Sequence, residues 1–157
     1  MKTSHSTVSQ RGAERTIGLL CWYAFACLAI GQLVAYFGNS FFGHDWDKDL
    51  IKPSVTQFNW VFFVVVWTIN YSVMGVAAGL IRQSGRNAAT IQALRWFWCQ
   101  YGLCLLWIPV VHGTGWVGSA VIMDFLVGIP AFITGFQFLK ISRPAFWWFF
   151  PYLVWTV

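Results

Sequence analysis

The sequence predicts an all-α integral membrane protein, a bundle of five transmembrane helices with the fifth cut short. Three observations carry this. The stretch from Phe58 to Ile81 holds no charged residue, and at ~1.5 Å per residue it reaches ~35 Å, enough for a hydrocarbon core of ~30 Å with some tilt. The 157-residue chain is 58% hydrophobic, 20% aromatic and only 10% charged, far from the balance of a soluble domain. Its basic residues sit mainly in short connections between apolar runs. The net charge of +5 is therefore a matter of membrane topology, with no nucleic acid implied.

Met1 to Arg15 is Ser/Thr-rich, has little to bury and is expected to be a mobile polar tail. No cleavable signal peptide is evident, because the apolar run that follows is long enough to span and lacks a clear small-residue cleavage site. Residues 16–157 form one transmembrane domain with spans expected at about 16–38, 57–81, 88–111, 115–139 and 144–157.

The first span carries Gln32 as its strongly polar side chain and a Trp22-Tyr23 pair suited to the membrane interface. A long loop follows, G-N-S-F-F-G-H-D-W-D-K-D-L-I-K-P-S-V-T from Gly38 to Thr56, in which Phe41, Phe42 and Trp46 provide apolar surface to lay over another element. Lys52-Pro53 sets the entry to the second span, and Arg82 closes it.

One face of the second span, in steps of three and four, reads Trp60, Phe63, Trp67, Tyr71, Met74, Ala78. Such a stripe serves either packing or the wall of a pocket. Gly75 and Gly79 form a small-xxx-small pair, which marks close helix contact where lipid gives no hydrophobic drive. Asn70 needs a hydrogen-bond partner from a neighbouring helix or from a pocket.

Arg82 to Asn87 is a short basic turn. Gly102 and Pro109 are expected to bend the third span, which also contains Arg95 and Gln100. His112-Gly113-Thr114 is expected to form the next turn. The fourth span contains Asp124, Pro130 and an Ala131/Gly135 pair. Asp124 either pairs with Arg95, Asn70 or Gln100, or stays neutral while Arg95 reaches back to the basic interface. Pro144 suits the first turn of the fifth helix, which from Pro144 to Val157 reaches only ~21 Å and is expected to continue in the natural protein.

The N-terminal side holds Lys2, Arg11, Arg15, Arg82, Arg86, Lys140 and Arg143, whereas the other side holds Lys48 and Lys52, offset by Asp45, Asp47 and Asp49. The asymmetry favours a cytoplasmic N-terminus. Cys21, Cys27, Cys99 and Cys104 lie in apolar runs without C-x-x-C spacing and act as packing residues rather than zinc ligands or a disulfide framework. His44 and His112 fall in loops on one side, where they are either solvated or share a metal or haem.

Five motifs, in order along the chain, resemble the translocator protein family, the tryptophan-rich sensory proteins of bacteria and peripheral benzodiazepine receptors of mitochondria. They are Lys52-Pro53, V-W-T-x-x-Y-x-x-M-G from Val66 to Gly75, A-L-x-x-x-x-x-Q from Ala93 to Gln100, W-x-P from Trp107 to Pro109, and P-Y-L-x-W from Pro151 to Trp155. The resemblance covers roughly Asp45 to Val157. It implies a five-helix bundle, often dimeric, whose first loop folds over a pocket for porphyrins, sterols or synthetic ligands. It further implies pocket roles for Trp67, Trp107 and Trp155, with Trp46 in the lid, and a role for Trp67 and Trp155 in porphyrin chemistry. The chain departs from the family pattern at K-P-S-V-T-Q, which lacks the usual lid tryptophan and prolines, and at Cys104, where relatives usually carry a pocket asparagine. Some relatives carry a sterol-recognition segment after the fifth-helix motif, and cholesterol binding is not among the expectations for this chain.

The expected site comprises Trp46, Trp67, Asn70, Tyr71, Cys104, Trp107 and Trp155, with no required cofactor and a bound porphyrin as the ligand that fits. The expected partners are a tetrapyrrole or other flat hydrophobic ligand, the lipid bilayer and a second copy of the chain. A flat macrocycle needs apolar faces with few polar anchors, which a tryptophan-rich bundle supplies. A binding protein, sensor or transporter is the first reading. Porphyrin degradation using Trp67 and Trp155, or a haem protein using His44 and His112, are the alternatives. No hydrolytic triad, phosphate loop or pair of catalytic carboxylates appears.

Overall fold

The computed structural model describes residues 3–42 and 60–156, all of them in helices or in the short turns between them. The helices are α1 (Thr3–Phe42), α2 (Trp60–Gln83), α3 (Ala88–Thr114), α4 (Val117–Ile141) and α5 (Arg143–Thr156). Among the described residues, Gly12–Phe42, Val61–Gln83, Ala88–Thr114 and Val117–Ile141 are long and apolar enough to cross a membrane. α5, at 14 residues, covers ~21 Å among the described residues.

α1 is longer than the expected span at both ends. It already runs from Thr3, ahead of the expected start at Thr16, and continues past Gly38 to Phe42. No proline interrupts it, and near its end the Ser40 hydroxyl bonds the Tyr36 carbonyl at 2.8 Å. The rest of the first loop, including His44, Trp46 and Lys52-Pro53, lies outside the described residues.

The α2–α3 turn places Gly85 at φ 119°, and Asn87 caps α3 by accepting from the Thr90 backbone N–H at 2.9 Å. α3 runs on through Pro109 to Thr114, because Gly115 supplies the left-handed C-terminal cap at φ 61° and its N–H reaches the Val111 carbonyl. The turn therefore sits three residues later than the sequence suggests.

The five helices close into a ring in the order α1, α2, α5, α4, α3 and back to α1, with α2 and α3 also touching across it. Both small-residue pairs act inside this ring. A Cβ at Gly75 would fall on the Tyr23 carbonyl oxygen and 2.6 Å from the Ala24 Cα of α1, while one at Gly79 would meet Leu20 at 2.9 Å. At Gly135 it would meet Leu153 of α5 at 2.7 Å. These glycines let backbones approach where a side chain would hold them apart.

The interior is layered. On the side of the α2–α3 turn, Phe97, Phe138 and Phe149 form a buried aromatic core, with centroids 6.1 Å apart for Phe97 and Phe138 and 5.3 Å for Phe138 and Phe149. The middle layer is polar, and Tyr101 crosses it to donate to the Cys27 carbonyl of α1 at 2.5 Å. Toward the open end of α5 the lining becomes indole and phenyl. Gln32 of α1 donates to Thr68 of α2 at 2.8 Å, fastening the two helices there.

Candidate ligand-binding site

Helical spacing on α2 brings Phe63, Trp67, Asn70 and Tyr71 toward one side. α5 carries Trp155 back onto them. The Trp155 ring stands edge-on to Trp67 at 6.4 Å and to Phe63 at 6.3 Å, and tilted against Phe62 at 6.2 Å. Trp67 lies 5.2 Å from Tyr71, whose ring in turn meets Tyr101 edge-on at 6.0 Å. Tyr71 is held in place by α1, since a Cβ at Gly31 would collide with its ring. Trp67 is half-buried and Trp155 is 36% exposed, so the cluster is open on one side while Tyr71 is buried.

Beneath the rings lies a polar floor. The Cys104 thiol sits within reach of the Tyr71 and Tyr152 hydroxyls, and Tyr152 donates to Gln100 Oε1 at 2.9 Å. Asn70 and Gln100 are buried, yet Asn70 Nδ2 and Gln100 Nε2 have no acceptor among the described residues. An unmet buried donor costs ~1–3 kcal/mol, so an acceptor at either amide would be favourable.

Trp67, Tyr71 and Trp155 are thus brought together, and Asn70 and Cys104 belong to the inner faces of the same bundle. Trp107 engages α4: its indole N–H donates to Asp124 Oδ1 at 2.8 Å, and its ring lies 6.2 Å from His112. Trp46 lies outside the described residues. Asp124 takes Trp107 as its partner because both residues lie near the α3–α4 turn. Arg95 is twelve residues before Trp107 on α3, ~18 Å along the axis. Arg95 instead lines a cavity with Arg82 and Arg86.

Gln100, Tyr152, Phe62 and Phe63 were not among the expected site residues. An amide at the centre of an apolar span was a usable signal for Gln100, but pairing it with Tyr152 requires knowing which faces of α3 and α5 meet. Among the described residues no cluster of three His, Cys, Asp or Glu side chains could hold a metal ion. Rings and amide donors suit the recognition of a flat apolar molecule that carries a few acceptor oxygens.

The family model of TspO/MBR matches residues 22–157. The chain is 29% identical over 112 residues to the tryptophan-rich sensory protein of Cereibacter sphaeroides, covering 71% of this chain and 68% of the relative. It is 29% identical over 115 residues to the translocator protein of Bos taurus, covering 72% and 68%. With the tryptophan-rich protein TspO of Chlorobaculum tepidum it shares 28% identity over 142 residues, 83% of this chain and 84% of the relative. The chain is a multi-pass membrane protein and belongs to the TspO/MBR family.

Proposed function

We propose that the protein binds a flat hydrophobic ligand, a tetrapyrrole such as protoporphyrin, in order to sense or carry it. The observation that carries this reading is the pair of buried donors without an acceptor among the described residues, Asn70 Nδ2 and Gln100 Nε2, in the same bundle as the clustered rings of Trp67, Tyr71 and Trp155. A macrocycle can lay its apolar face on the indoles and offer carboxylate or carbonyl oxygens to the amides. Two relatives bear the names tryptophan-rich sensory protein and translocator protein, which support sensing or carriage of a ligand. In the same reading Trp46 belongs to a lid over the ligand, Trp107 and Cys104 contribute to its pocket, the N-terminus is cytoplasmic and two copies associate. The edge-on approach of Trp67 and Trp155 also supports a second reading, in which these indoles take part in porphyrin breakdown.

Titration of the purified protein in detergent with protoporphyrin and with haem, first in darkness and then under light, separates these readings. Saturable binding of free-base porphyrin with a stable Soret band is the expected result. Light-dependent bleaching that requires Trp67 and Trp155 would favour the second reading, and a bis-imidazole haem spectrum would overturn both in favour of a haem protein.

A further inference from the structure

At the opposite end of the bundle from Trp155, the α2–α3 turn encloses a cavity of about 340 Å³ lined by Arg82, Arg86, Arg95, Ile91, Leu94 and Trp98, among others. Three arginines line it from three places. Arg82 lies in the last turn of α2, Arg86 follows Gly85, whose φ of 119° turns the chain back, and Arg95 lies two turns into α3. The Arg95 Cα sits ~10 Å along α3 from its start, near enough to the interface for a long basic side chain to reach it.

The described residues hold two carboxylates. Asp124 is bound to Trp107 near the far end of α3, and Glu14 is exposed on α1 outside the cavity lining. Among the described residues no acid lines the cavity with the three arginines. Below the arginines the wall is apolar: Ile91 and Trp98 are 44% and 43% exposed, and with Leu94 they continue along the same stretch of α3.

We propose that this cavity is a binding site for an anionic phospholipid, with its phosphate held by Arg82, Arg86 and Arg95 and the start of an acyl chain against Ile91, Leu94 and Trp98. Guanidinium forks match phosphate oxygens through paired hydrogen bonds. Free phosphate would satisfy the arginines but leave the apolar wall uncovered, whereas a phospholipid covers both. The neighbouring cavity of about 600 Å³ between α3 and α4 serves as an internal comparison: it has Lys140, whose ammonium lies 4.3 Å from the Phe136 ring centroid, and no arginine.

Native mass spectrometry of the full chain released from detergent, with equimolar dioleoyl phosphatidylglycerol and dioleoyl phosphatidylcholine, tests this site. The expected result is a saturable phosphatidylglycerol adduct retained in preference to phosphatidylcholine. Arg86→Gln and Arg95→Gln are each expected to weaken it roughly fivefold, while Lys140→Gln leaves it unchanged and equimolar inorganic phosphate fails to displace it. Arg86 is exposed in a turn, so its substitution leaves the fold intact, as circular dichroism can verify. Equal retention of the two lipids, full retention by Arg86→Gln, or an equal loss in Lys140→Gln would overturn the proposal. Displacement by inorganic phosphate would identify a free-anion site instead and overturn it equally.

Discussion

The Tyr152 hydroxyl donates to Gln100 Oε1 at 2.9 Å in the buried centre of the ring, so a hydrogen bond ties the shortest helix, α5, to α3. Tyr152→Phe removes the bond and leaves the buried Gln100 amide unpaired at both ends. The expected cost is ~1–3 kcal/mol of stability, seen as a lower unfolding temperature in detergent. Because α5 also carries Trp155, porphyrin affinity should fall with it.

Asn70→Leu separates function from stability. The Asn70 amide N–H₂ has no acceptor among the described residues, so a leucine of similar branched shape removes an unmet donor and should leave the unfolding temperature unchanged or raise it. Ligand affinity should nevertheless drop by roughly tenfold, the equivalent of ~1.4 kcal/mol. Porphyrin titration and thermal unfolding on the same preparation check both halves, and a destabilised variant with normal affinity would mean that Asn70 is purely structural.

Gly75 and Gly102 should respond oppositely to alanine. A Cβ at Gly75 meets the α1 backbone at Ala24, whereas one at Gly102 has nothing within 4 Å. Gly75→Ala is expected to cost ~1–3 kcal/mol or more through overpacking, and Gly102→Ala to gain up to ~1 kcal/mol from helix propensity. Size-exclusion profiles and unfolding curves of the two variants provide the comparison.

Trp107→Phe should destabilise the α3–α4 pair by ~1–3 kcal/mol, because Asp124 loses the indole donor it holds at 2.8 Å. Asp124→Asn keeps an acceptor oxygen and should be milder. Arg95→Gln, which acts at the other end of α3, should add to either change without coupling, as a double-mutant cycle would reveal.

Much of the fold was legible in the residues because a bilayer enforces length and apolarity on each span. The expected spans at 57–81, 88–111 and 115–139 lie within a few residues of α2, α3 and α4, and Gly75 does sit where two backbones touch. What escaped depended on which faces meet. Asp124 was open to Arg95, Asn70 or Gln100, but Trp107, itself an expected site residue, is the group that donates to it across the hairpin. Gln100 stood out as polar, yet nothing in its spacing named Tyr152, more than fifty positions away. The end of α3 moved because Gly115 rather than Gly113 adopts the left-handed conformation.

The most direct test of a tetrapyrrole site between α2 and α5 is the protoporphyrin dissociation constant, followed through the Soret band in the dark, for the parent, Trp67→Ala, Trp155→Ala and Trp22→Ala. Trp67 and Trp155 stand 6.4 Å apart in the aromatic cluster, whereas Trp22 is 65% exposed on α1. Ring stacking worth ~1–3 kcal/mol means that Trp67→Ala and Trp155→Ala should each weaken binding roughly tenfold or more, with Trp22→Ala matching the parent. Folded Trp67→Ala and Trp155→Ala variants that bind as tightly as the parent would contradict the assignment and leave the aromatic cluster as packing.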